Sequence, residues 1–379
     1  MHVLLDARTI LSPKTGDRTY WLGLCRALPA VCPEDQFTLA LDAPPPAGLV
    51  PEAPNLRWVA RPARNGRLWT ALVLPRLART LGVDLVHLQY VAPPWLGRPF
   101  VTTVHDCSFA LFPEHFTRRD GTWLRTLVPH TARRAAGVIA VSETTRGDLL
   151  RLYRLPSARV HVVSEGVEAR WRPAGPAEVE RVRGRFGLPS EYLLSVGVLQ
   201  PRKNIVGLLH AYAIARGAHG VTAPLVVAGK TGWLAGPITA AVAELGLGDS
   251  VRFVGYVADE DLPALYSGAA LTLYPSFYEG FGLPPLESLA CGAPVVVSNA
   301  PALLETVGGC APALAPDDHA GWAATMAGLL AAPDERARLA AVGAARAREY
   351  TWERAARQHV AVYRAALAAK ELSGNKSRR

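Results

Sequence analysis

Leu271-Thr272-Leu273-Tyr274-Pro275-Ser276-Phe277-Tyr278-Glu279-Gly280-Phe281-Gly282-Leu283-Pro284-Pro285-Leu286-Glu287-Ser288-Leu289-Ala290-Cys291-Gly292 reads as a buried strand, a turn-rich loop and a helix. Pro284 or Pro285 suits the first helical position, and Gly292 suits the end. The same unit recurs on both sides. In the second half, predicted strands are Tyr192–Val196, Leu225–Ala228, Val251–Val254, Leu271–Tyr274 and Pro294–Val297. Predicted helices there are Ile205–Ala215, Pro237–Leu245, Asp261–Ser267, Pro284–Ala290 and His319–Leu330. In the first half, predicted strands are Val3–Asp6, Phe37–Leu41, Leu56–Ala60, Leu85–Leu88, Phe100–Val104, Val138–Val141 and Val160–Val163. Helical patterns there cover Tyr20–Leu28, Trp69–Leu81 and Thr122–Ala135.

Near-continuous apolar strands alternating with helices imply an α/β fold with a parallel sheet covered on both faces. The pattern occurs twice, so two doubly wound, Rossmann-like domains are expected, facing a central cleft. The seam falls between Gly166 and Leu188, where Trp171-Arg172-Pro173-Ala174-Gly175-Pro176 is rich in turn formers and a charged helix, Ala177 to Phe186, follows. The expected plan is an N-terminal Rossmann-like domain over 1–172, a linker over 173–187 and a second Rossmann-like domain over 188–355. A closing helix over 356–371 is expected to pack back on the first domain, before a polar tail over 372–379.

Open parallel sheets bind ligands beyond the C-terminal ends of their strands. Two such loops carry the strongest chemistry. After Leu271–Tyr274 come Glu279, flanked by glycines that let the backbone approach a ligand, and Glu287 in the first turns of the helix. A helix start attracts anions, while two carboxylates beside it suit hydroxyl groups; a sugar nucleotide offers both. The plainer alternative is a capped helix with a stabilising acid near its dipole. After Tyr192–Val196 comes Gly197-Val198-Leu199-Gln200-Pro201-Arg202-Lys203-Asn204, with Asn204 as the expected N-cap. Two cations at a helix start are unfavourable unless an anion joins them. A bound diphosphate would do so; the alternative is a solvated basic turn.

The chain has 379 residues, with 41 Lys plus Arg against 32 Asp plus Glu, a net charge of +9. Basic charge attracts phosphate of any kind. Lysine occurs only at Lys14, Lys203, Lys230, Lys370 and Lys376, so a lysine here marks a place where arginine was not used. No window reaches the ~18 consecutive apolar residues of a membrane span. The five cysteines form no C-x-x-C pair and fit reduced thiols, giving an expectation of a cytoplasmic protein. Among Phe109–Arg134, aromatics interleave with arginines. This is either an acceptor flank touching an anionic membrane surface or an ordinary helix with basic edges.

Four readings are set aside. Ala228-Gly229-Lys230-Thr231 mimics the end of a P-loop, but Pro224 and a predicted strand occupy the place of its first glycine. Asp259-Glu260-Asp261 reads as helix N-terminal charge, not as a metal-binding D-x-D. No G-x-G-x-x-G follows a strand, which argues against a nicotinamide enzyme. No basic-aromatic module for nucleic acid is present.

Taken in order, these motifs resemble the retaining glycosyltransferase family 4, with its GT-B fold. Glu279 and Glu287 match its E-x7-E motif, and Pro201-Arg202-Lys203-Asn204 its basic loop. Asp6-Ala7-Arg8, Thr15-Gly16, Asp84-Leu85-Val86-His87, Thr103-Val104-His105-Asp106, Val141-Ser142-Glu143 and Glu165-Gly166-Val167 are similar to its N-domain signposts. The resemblance implies that Lys203, with Arg202, neutralises a donor diphosphate. It implies that Glu287 grips the ribose and Glu279 contacts the transferred sugar. Gly280, Phe281, Gly282 and Leu283 would offer backbone donors, Val257 would lie near the base, and Gly197 would border the phosphates. Gly16 would lie against the diphosphate, and His105 near the donor sugar and acceptor. Two departures stand out: Arg18 replaces a second glycine in the first loop, and Val198 replaces an arginine after Gly197. The whole stretch Gly197-Val198-Leu199-Gln200-Pro201-Arg202-Lys203-Asn204 resembles the mannosyltransferase branch and points to GDP-mannose as substrate, with no metal or other cofactor and a glycan or lipid-linked acceptor. The alternatives are a UDP-sugar donor, or an epimerase or phosphorylase of the same fold.

Overall fold

The structure is a computed structural model that describes residues 1–12, 16–230, 232 and 236–376, with side chains up to 370. Lys14, Thr15 and Thr231, noted in sequence motifs, and the end of the polar tail lie outside the described residues.

The chain forms two compact units, Met1–Gly166 with Tyr350–Arg379, and Val167–Glu349. The first holds a seven-stranded sheet: β1 (His2–Asp6), β2 (Gln36–Leu41), β3 (Leu56–Ala60), β4 (Leu85–Gln89), β5 (Phe100–Val104), β6 (Gly137–Ala140) and β7 (Val160–Val162). Their order is β3-β2-β1-β4-β5-β6-β7, and every pairing is parallel. The second holds β8 (Leu193–Val196), β9 (Leu225–Ala228), β10 (Val251–Gly255), β11 (Leu271–Tyr274), β12 (Val295–Ser298) and β13 (Ala313–Leu314). Their order, β10-β9-β8-β11-β12-β13, is again all parallel. In each sheet the winding reverses next to the first strand, between β1 and β4 and between β8 and β11. Those are the two places where a doubly wound sheet leaves a crevice for ligand.

Both faces of each sheet are covered, which explains the unbroken apolar runs. On one face of the first sheet, Val3, Leu5, Phe37 and Leu39 pack with Tyr20, Trp21 and Leu24 of the helix Gly16–Val31. Trp352, Ala356, Val360 and Tyr363 of the final helix, Trp352–Lys376, complete that cluster. Trp352 sets a strict demand. An added Cβ on Gly23 would lie 2.0 Å from its indole, and one on Gly166 would lie 2.4 Å from its backbone nitrogen. Only glycine fits at either position.

Where Trp69–Leu81 predicts one helix, the structure has a turn at Gly66–Leu68, a π-type turn at Trp69–Val73 and an α-helix at Leu74–Thr80. The reason is Pro75, which has no N–H to give the carbonyl of Ala71. The Trp95 indole donates to that carbonyl instead, at 2.6 Å. Two helices have weak sequence signals, Glu143–Tyr153 and Pro333–Ala347. The first buries only Thr145, Leu149 and Tyr153, a stripe too narrow to announce itself as amphipathic. Its start is fixed by Ser142, whose hydroxyl accepts from the Thr145 N–H at 3.0 Å. Among the described residues, no helix is long and apolar enough to cross a membrane.

Candidate functional site

In the second unit the loops after β8 and β11 meet through side chains. Asn204 adopts a left-handed conformation at φ 53°, a state asparagine tolerates better than most residues. Its side chain caps the helix Ile205–His219 by accepting from the Gly207 N–H, and donates to the carbonyls of Pro275 and Pro316. That clamp fixes Arg202 and Lys203, one turn earlier, against the β11 loop. Lys203 Nζ donates to Glu279 Oε1 at 2.6 Å and Arg202 Nη1 to Glu279 Oε2 at 2.8 Å. Ser276 donates to Oε1 at 2.7 Å. A carboxylate of the protein itself, Glu279, thus joins the two cations. Burial would raise the Glu279 carboxyl, but Lys203, then Arg202, and the Ser276 hydrogen bond outweigh it and bring it to about 2. Gly197 borders the cluster, its Cβ position 3.7 Å from the Lys203 stem.

The helix after β11 begins at Leu283, one residue before the expected Pro284. Pro284 and Pro285 thus occupy its second and third positions, where neither carries an N–H. The Leu286 N–H bonds to the Gly282 carbonyl. The anion-attracting donors of this helix start are therefore those of Leu283 and the loop before it, fewer than a helix start ordinarily supplies. Gly282 turns the chain at φ 113°, and a Cβ there would lie 2.8 Å from Leu303. Phe281 is buried and its carbonyl accepts from Thr306. Glu287 is buried on the second turn, with the Tyr266 hydroxyl donating to it at 3.4 Å. Val257 is a core residue here, packed with Leu262, Ala264 and Tyr266.

In the first unit His105 follows β5, half-buried, with Nδ1 3.0 Å from Glu165 and Nε2 2.8 Å from the Gln89 amide. Gly16 opens the helix after β1, with no atom within 4 Å of its Cβ position. His87 is a core residue: its ring nitrogens bond to Tyr363 and Thr103 at 2.6 and 2.8 Å. The acidic run Asp259–Asp261 is tied to arginines, Asp259 to Arg170 and Asp261 to Arg181 and Arg185. Lys230 lies over the Tyr256 ring at 4.8 Å. Ser276, Gln89 and Glu165 complete these clusters without having been singled out as site residues. Ser276 and Glu165 stand inside quoted motifs, but single polar residues carry no pattern that marks them.

Two family descriptions match in sequence: "Glycosyltransferase Family 4" over residues 16–171 and "Glycosyl transferases group 1" over residues 178–346. O-antigen chain mannosyltransferase B of Escherichia coli is 34% identical over 266 residues, 70% of this chain and 70% of that protein. The MMP alpha-(1->4)-mannosyltransferase of Mycolicibacterium hassiacum is 36% identical over 287 residues, 72% of this chain and 67% of that protein. The sucrose-phosphate synthase of Thermosynechococcus elongatus superposes with a TM-score of 0.77 at 22% identity, over 97% of this chain and 99% of that one. Two all-parallel sheets in this order, the acidic pair Glu279 and Glu287, and these matches together place the chain in glycosyltransferase family 4, with the GT-B fold.

Proposed function

We propose that the protein transfers mannose from GDP-mannose, with retention of configuration and without a metal ion, to a glycan or lipid-linked acceptor. The observation that carries the reading is the Arg202/Lys203/Glu279 cluster at the crevice between β8 and β11. When the bond between the anomeric carbon and the β-phosphate oxygen breaks, the departing diphosphate gains charge. Arg202 and Lys203 are placed to stabilise that charge, the role a divalent cation fills elsewhere. Glu279, between the same cations, would face the transferred sugar. Glu287, one helical turn deeper, suits the ribose hydroxyls. The names of the two mannosyltransferase relatives support mannose as the sugar. Five buried free cysteines fit a reducing compartment.

A thermal-shift screen of nucleoside diphosphates and their sugars tests the donor, since binding to the folded state raises apparent stability. GDP and GDP-mannose should stabilise the chain, and transfer should survive excess chelator. Stabilisation by UDP compounds alone would overturn the donor. Transfer lost in chelator and restored by Mg²⁺ or Mn²⁺ would overturn the metal-free mechanism.

A further inference from the structure

His105 lies in an assembly more elaborate than one packed ring requires. From the end of β4, the Gln89 amide reaches Nε2 at 2.8 Å, and the Tyr90 ring lies 5.8 Å from the imidazole. Tyr90 is held at φ 57°, a conformation costly for an aromatic residue, which marks this bend as over-determined by its surroundings. From the helix Gly16–Val31, Asp17 lies 3.6 Å from Nε2, and the Tyr20 ring meets the imidazole edge-on at 4.8 Å. After β7, Glu165 puts Oε1 3.0 Å from Nδ1. The next residue, Gly166, runs so close to Trp352 that an added Cβ would lie 2.4 Å from its backbone nitrogen. The Thr145 hydroxyl donates to the His105 carbonyl at 3.1 Å and pins its backbone.

We propose that Glu165 is the positioning residue of His105, accepting from Nδ1–H and so fixing the ring's orientation and leaving Nε2 as its working nitrogen. An imidazole whose second nitrogen is held by a carboxylate has one tautomer, and its other nitrogen becomes the stronger base. Gln89 is suited to Nε2 in either state: its NH2 donates to the neutral ring, and its oxygen accepts from the charged one after a half-turn of the amide. The charged and titratable groups around the ring are Glu165, Asp17 and Asp106, with His87 and His359 deeper in the core. Burial would lower the imidazole, but the Glu165 hydrogen bond and the charges of Asp17, Glu165 and Asp106 outweigh it and raise it above the ordinary value. This inference rests on the assignment of His105 to the transfer reaction.

The test uses the full chain labelled with ¹³C,¹⁵N-histidine, the His105 resonance being identified by its loss in His105→Asn. In Glu165→Gln, which keeps shape and removes charge, the His105 titration midpoint should fall by about one to two pH units, the equivalent of one charge-assisted hydrogen bond. The turnover of GDP-mannose should fall about tenfold or more, while GDP affinity stays within about twofold, the pattern of a group acting on the reacting centre. An unmoved midpoint in a cooperatively folded Glu165→Gln would overturn the proposal. Should that variant not fold, Glu165→Asp, which withdraws the charge by one methylene, decides it: a lowered midpoint supports the proposal and an unchanged one overturns it. A lowered midpoint in a chain that does not turn over GDP-mannose supports the positioning role and overturns the donor instead.

Discussion

Glu279 is both a structural anchor and a reacting-site candidate, and pH separates the two roles. Its carboxyl titrates at about 2 when folded, against an ordinary 4.5. A depressed carboxylate contributes stability that is full above the unfolded value and lost as pH falls through the folded one. That difference is worth about 3 kcal/mol. Urea unfolding at pH 7 should therefore find Glu279→Gln about 2–3 kcal/mol less stable than the parent, and the gap should shrink below pH 4.5 and close only below about pH 2. The same variant should lose turnover more than GDP affinity, because removing the carboxylate leaves both cations to the diphosphate. Lys203→Ala should lower kcat/KM by roughly ten- to a hundredfold, the scale of one charge-assisted hydrogen bond. Glu287→Ala should instead weaken GDP binding with little change in kcat, since a ribose does not alter during transfer. Parent-like binding and turnover in folded Lys203→Ala and Glu287→Ala would place the donor elsewhere.

The final helix is the element that a residue-by-residue view undervalues. Its His359 and Tyr363 enter the core of the first unit, where the Tyr20 hydroxyl lies 2.6 Å from His359 and the Tyr363 hydroxyl 2.6 Å from His87. Burial, against a hydrogen bond to Ala355, holds His359 neutral with its titration near 4, below the ordinary 6.5. The unfolded chain takes up this proton below about pH 6.5 and the folded chain does not. Stability is thus full above pH 6.5 and falls by about 3 kcal/mol as pH drops towards 4. Denaturation series at pH 7 and pH 4.5 should show this loss in the parent and a smaller one in His359→Gln. Trp352, seated on Gly23 and Gly166, anchors the same helix. Trp352→Ala should cost about 3–5 kcal/mol, read as a drop in Tm.

The molecule is two cores with different chain requirements. The second unit is continuous, Val167–Glu349, whereas the first needs a segment from each end of the chain. A fragment covering 167–349 should unfold cooperatively by itself. A fragment covering 1–166 should not, because Tyr20, Trp21 and Leu24 would lose the final helix that covers them. Adding residues 350–379 in trans should restore a cooperative transition. With GDP present, hydrogen exchange of the whole chain should slow most beyond Leu188. Protection confined to the region before Gly166 would contradict the proposed donor side.

The sequence by itself determined every strand but the two-residue edge strand β13, the double α/β repeat and the identity of the basic and acidic loops, because buried parallel strands are unbroken apolar runs and ligand loops are punctuated by glycine and proline. β5, β9 and β11 fall where their apolar runs predict, and the helix His319–Leu330 keeps its predicted ends. Helices whose buried stripe is narrow, such as Glu143–Tyr153, escaped that logic, and Pro75 broke a helix that periodicity alone had drawn as one. Only the tertiary structure decided what each charged residue faces. Arg202 and Lys203 are 77 and 76 positions from Glu279, and Glu165 is 60 from His105. Pairings across such separations are set by strand order and by clamps such as Asn204. No local pattern records that the anion joining two cations at a helix start is a carboxylate from the next loop of the sheet.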